Sequence, residues 1–141
     1  MAATILVVCF VGILEAVIAT SSMMDHARRQ TLANQIINHE IEKLRFASWT
    51  TINALPTAST AITIDSQFTS AVAASGASYS LARTVTSSNP FTNIREVNFT
   101  VTWVVTTSRR TAGGSALTFT YSRSNSAWFG KYGLNLTYQR S

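Results

Sequence analysis

The sequence predicts an α+β fold in which a long N-terminal hydrophobic α-helix packs on a C-terminal antiparallel β-sheet. Three observations predict it. Residues 2–49 hold no proline and Gly12 as their single glycine. Beyond Pro56 the apolar residues recur at every second position, the period of a strand with one buried face. The 141 residues suffice for one core and are too few for two sizeable ones. The chain therefore divides into a helix, residues 1–49, and a Ser/Thr-rich β head, residues 50–141. Within the helix, residues 1–24 form an apolar half and 25–49 an amphipathic half.

Ala2 to Met24 reads AATILVVCFVGILEAVIATSSMM and is apolar all round. At about 1.5 Å per residue it reaches roughly 30 Å, the thickness of a bilayer core. It is expected to cross a membrane or to rest among other helices. Arg28 and Arg29 follow it, which by the positive-inside rule would hold the head in the cytoplasm. Removal of a basic leader, leaving Met1 as the first residue of a processed chain, resolves that conflict. Glu15 is the anomaly, since an ionised acid at mid-bilayer costs about 2.5–3.5 kcal/mol. No basic residue stands near it in its own helix, so its partner is expected on a neighbouring subunit, as the free α-amino group of an adjacent chain.

From Asp25 to Trp49 the pattern becomes amphipathic. Leu32, Ile36 or Ile37, Ile41 and Leu44 recur at three- and four-residue steps. Arg28, Arg29, Gln30, Asn34, Asn38, Glu40, Glu42 and Lys43 supply the polar side. Gly12 and Thr20-Ser21-Ser22 are weak points of low helix propensity, where the helix is expected to loosen in an assembly. Leu55-Pro56 is the expected stop.

The head reads as about five strands. Val97, Phe99, Val101, Trp103 and Val105 alternate with polar residues, as do Leu117, Phe119 and Tyr121, and finally Leu134, Leu136 and Tyr138. Ile62 and Ile64, then Tyr79, Leu81 and Val85, suggest two earlier strands. Arg109 to Ser115 is a hairpin loop, and Gly76 and Ser88-Asn89-Pro90 mark turns. The Ile37, Ile41 and Leu44 stripe is expected to cover the sheet.

Composition narrows the function. With 12% charged and 46% hydrophobic residues the chain is not a disordered tail. One cysteine, Cys9, excludes an internal disulfide and a cysteine-based zinc site. His26 and His39 lie too far apart on one helix for a shared metal, and no catalytic set or phosphate loop stands out. No enzyme activity, metal or cofactor is expected. The net charge of +5 comes from the head, where Asp65 and Glu96 face Arg83, Arg95, Arg109, Arg110, Arg123, Lys131 and Arg140. Most of these arginines are dispersed. Arg109, Arg110, Lys131 and Tyr132, with Trp128 nearby, are the candidate face for nucleic acid or polysaccharide. Asn98 and Asn135 match the N-glycosylation acceptor pattern.

The combination resembles the type IV pilin and pseudopilin class. Thr31 to Arg45, TLANQIINHEIEKLR, is similar to the end of that family's N-terminal helix. VNFTVTW, SRRTAGG and SALTFTY, between Val97 and Tyr121, are similar to a hairpin of its head. The family's acid near the start of the mature chain is replaced by Ile5, with Glu15 the nearby acid. The resemblance implies a structural subunit of an extracellular pilus or pseudopilus filament, with a pool of subunits in the inner membrane before assembly. Its implied partners are copies of itself, the pilus assembly machinery and a leader peptidase. Met1, Ile5, Phe10, Gly12, Leu14 and Glu15 are the candidate assembly residues. The alternative is a single-span membrane protein or minor tip pilin whose basic head binds DNA, polysaccharide or a surface.

Overall fold

The structure, a computed structural model, describes residues 2–86, 92–110 and 116–132, and the side chains of 2–9, 19 and 107–110 lie outside that description. Helix α1, Ala2–Arg45, is 44 residues long, or about 66 Å at 1.5 Å per residue. It is continuous through Gly12 and through Thr20-Ser21-Ser22, where the Thr20 hydroxyl donates back to the Ala16 carbonyl at 2.8 Å. Short helix α2 spans Trp49–Asn53. Then come strand β1, Thr60–Ile62, a 3-10 turn, Ser66–Phe68, and helix α3, Thr69–Ala74. Strands β2, Ser78–Thr86, β3, Ile94–Arg110, and β4, Ala116–Gly130, complete the described chain.

The four strands form one antiparallel sheet in the order β1-β2-β3-β4. Alternation along β3 decides which face is buried. Val97, Phe99, Val101 and Trp103 are all at most 1% exposed. Their register partners on the same face are Val85, Arg83, Leu81 and Tyr79 of β2, and Ala127, Asn125, Arg123 and Tyr121 of β4. Tyr79, Trp103 and Tyr121 form a row across three strands, with stacked rings 6.1 and 5.7 Å apart, a favourable cross-strand arrangement. The opposite face carries Ser80, Thr84, Thr100, Thr102, Ser122, Ser124 and Ser126, whose short polar side chains suit a pleated surface open to water.

The C-terminal half of α1 closes this core. Leu32, Ala33, Ile36, Ile37 and Ile41 are buried against β2, β3 and β4 together with Ile52 and Phe129. Ala33 is fully buried, and its small side chain lets the helix backbone approach the sheet closely. Gly76 ends α3 with φ +64, the left-handed conformation that glycine adopts without steric cost.

The fold class is corrected in one respect. Among the described residues no helix is long and apolar enough to cross a membrane. The described run from Phe10 to Met24 mixes apolar residues with Thr20, Ser21 and Ser22. Glu15 interrupts it, and Asp25, His26, Arg28 and Arg29 follow at once. The membrane-crossing expectation therefore does not stand.

Other corrections are local. The helix ends at Arg45 rather than Trp49, well before Pro56. Ser48 accepts a hydrogen bond from the Thr51 N–H at 3.3 Å and so caps the start of α2. The short helices between Trp49 and Ala74 have no apolar period in the sequence; Phe68 and Val72 are drawn in by packing against the core. Ile64 lies outside β1. Glu40 is buried, not on the polar side of α1, and it keeps its charge partnered through Lys43 at 2.9 Å. Four strands are described rather than five. The expected last strand at Leu134, Leu136 and Tyr138, the turn at Ser88-Asn89-Pro90 and most of the Arg109 to Ser115 loop lie outside the described residues.

Phe99→Ala removes a fully buried ring from the middle of this core. It is expected to cost about 3–5 kcal/mol, read as a lowered denaturant midpoint by tryptophan fluorescence. A loss below about 1 kcal/mol would contradict the packing described.

Candidate assembly surface

Every described side chain of α1 from Phe10 to Asp25 is exposed, and contact with the head begins at His26, which meets Tyr121 edge-on at 4.7 Å. The helix thus extends past the sheet as an arm. Phe10, Ile13 and Ile18 are 63%, 62% and 66% exposed, and Val11, Leu14, Val17, Met23 and Met24 are exposed with them. Scattered apolar residues on a surface are ordinary; a continuous patch of this size marks an interaction site. Burying such side chains is worth about 1.5–3 kcal/mol each, while association costs about 4–15 kcal/mol. A contact along one flank is thus marginal, and a surround of several partners is strongly favourable.

The expected assembly residues fall on this arm where they are described. Phe10, Leu14 and Glu15 are exposed. Gly12 has nothing within 4 Å of where a side chain would begin, so no contact among the described residues requires it. Met1 and the Ile5 and Cys9 side chains lie outside the described residues. The apolar surface continues at the head in a groove of about 580 Å³, where Met23, His26 and Arg29 of α1 face Val105, Phe119 and Tyr121.

The expected anion-binding set is only partly described. The Lys131 ammonium lies 5.4 Å from the Tyr132 ring centre, a cation–π distance. Tyr132 and Trp128 are 67% and 47% exposed, so neither belongs to the core of the subunit. The Arg109 and Arg110 side chains are outside the description, so no convergence with Lys131 is established. Asn135 is also outside. Asn98 sits on the outer face of β3, but its Oδ1 is buried and without a hydrogen-bond partner, a poor presentation for a modifying enzyme. Among the described residues no group of three or more His, Cys, Asp or Glu is placed to hold a metal ion.

Sequence reasoning missed the polar contacts that tie the arm's helix to the head. Asp65 accepts from the Gln67 N–H at 3.2 Å, and its other oxygen lies 3.4 Å from His39 Nε2 and 3.7 Å from Lys43 Nζ. The Gln67 amide reaches His39 Nδ1 at 2.8 Å. The backbone donor of Gln67, then His39, hold the Asp65 carboxyl below its ordinary value. Hydrogen bonding to Glu40 raises the Lys43 ammonium. Arg123 reaches Asn34 at 3.2 Å, Arg29 reaches the Ser75 carbonyl at 3.1 Å, and Arg95 grips Asn53 at 2.9 Å. Their partners lie far apart in sequence, and only the fold brings them together.

A depressed carboxyl contributes stability that is present above its unfolded value, 3.8 for Asp65, and is lost as pH falls through the lower folded value. Asp65→Asn should therefore lower stability near neutrality and flatten the decline below about pH 4. Urea midpoints between pH 2 and 7 measure this; parallel curves for the two proteins would contradict a stabilising role for the Asp65 contacts.

Compared with known proteins, the chain matches no family model, no curated protein and no solved structure.

Proposed function

We propose that the chain is a structural subunit of an extracellular type IV pilus-like filament, assembled by burying the N-terminal arm of α1 against the arms of other copies. One observation carries this reading: every described side chain from Phe10 to Asp25 is exposed, and most of them are apolar. An arm that is apolar on all sides is satisfied only by neighbours on all sides. Identical subunits achieve that in a bundle, with the arms inside and the Ser/Thr-rich heads outside. Contacts between different patches of the same subunit do not close on themselves and extend into a helical polymer. The outer face of the sheet, hydroxyl-rich among the described residues, with Glu96 standing among Ser and Thr, suits the wet shell of such a polymer.

Val17→Asp places a charge on the arm without touching the head's core, since Val17 is exposed in the subunit. The variant is expected to keep the wild-type circular dichroism and thermal unfolding but to form no filaments by negative-stain microscopy under conditions where the wild type does. Normal filaments from Val17→Asp would contradict the proposal.

A further inference from the structure

Burial of the arm in a polymer takes Glu15 out of water, and a carboxylate so placed requires a partner. Its own arm supplies none, because no Lys, Arg or His occurs before His26. Most other cations described on α1 are engaged: Arg29 on the Ser75 carbonyl at 3.1 Å, Lys43 on Glu40 at 2.9 Å and Arg45 on Glu42 at 2.7 Å. Arg28 differs. Its side chain is 75% exposed, and its contact with Asp25 is stretched to 3.9 Å, a surface pair of little energetic weight.

The phase of the helix separates the two groups. Ala33 points into the sheet and is fully buried. Glu15 precedes it by five whole turns of about 3.6 residues and so projects in the same direction, on the sheet side of the arm. Arg28 precedes Ala33 by five residues, about 140° round the helix, and faces away from the sheet.

We propose that Glu15 of one copy pairs with Arg28 of the next, an inference that rests on the polymer reading above. The contact joins the sheet side of one helix to the far side of its neighbour. Two helices cannot make it reciprocally, because each would have to present two different sides to the other at once. A two-fold dimer is therefore excluded for this pair, and every added subunit leaves one Glu15 and one Arg28 open for the next. For parallel helices the separation of the two residues sets an axial offset of about 20 Å between paired copies. The pair thus fixes both the direction and the stagger of assembly, which apolar contact alone leaves loose.

Polymerisation of the full chain provides the test. Glu15→Arg and Arg28→Glu are each expected to raise the critical concentration by at least about tenfold, the scale of a buried charge without its partner. The double exchange should recover most of that loss, and Arg28→Lys should retain most of the wild-type behaviour. Both sites are exposed in the subunit, so an unchanged circular dichroism spectrum confirms that folding is intact. Arg28→Glu filaments that form as readily as wild type, or a double exchange no better than the single variants, overturn the pair and leave the polymer reading standing. A wild-type chain that stays monomeric at every concentration overturns the polymer reading, and the pair with it.

Discussion

One helix serves two environments, and the rest of the molecule follows from that division. From Leu32 to Ile41 the sheet covers a stripe of α1 and leaves the other side wet. From Phe10 to Met24 every described side chain is exposed, although most of them are of the kind that fill cores. The hydrophobic effect acts equally on both halves. In the first case the chain satisfies it alone; in the second it cannot, because its sheet has been used. The chain is therefore a packed head joined to an exposed apolar arm by one unbroken helix.

The head holds α1 at many points. Its centre is strand β3, whose inward residues are sealed by α1 on one side and flanked by β2 and β4. The contacts from Arg29, Asn34 and His39 fix α1 against α3, β4 and the Asp65 turn at points spread along its buried length. Each is worth little by itself. Set at five-residue steps, about 140° apart round the helix, they hold it from different sides and resist rotation about its axis. The orientation of the arm's charged and apolar sides relative to the head is thereby defined.

Much of this was legible in the residues. The alternation of Val97, Phe99, Val101 and Trp103 reads directly as a buried strand, and Leu32, Ile36, Ile37 and Ile41 read as the stripe that covers it. What escaped the sequence depended on contacts between distant residues. Glu40 looks like a solvated charge, and its burial becomes tolerable only because Lys43 lies one turn on and reaches it. The helix end at Arg45 was hidden by Pro56, the louder signal, while the deciding residue was the quieter cap at Ser48. Helix α3 is too short to show an apolar period of its own and is held by Val72 against the core. The arm's exposed apolar character was visible, but among the described residues no helix is long and apolar enough to cross a membrane. Tyr132 and Trp128 are both open to water, so neither belongs to the core.

The central claim is that water leaves the arm only when copies of the chain meet. Hydroxyl-radical footprinting of the intact protein across a concentration series measures this at individual side chains. Phe10, Leu14, Met23 and Met24 should lose reactivity together as polymer forms, while Tyr132 on the head stays reactive. Equal reactivity of the arm residues in monomer and polymer would contradict the account.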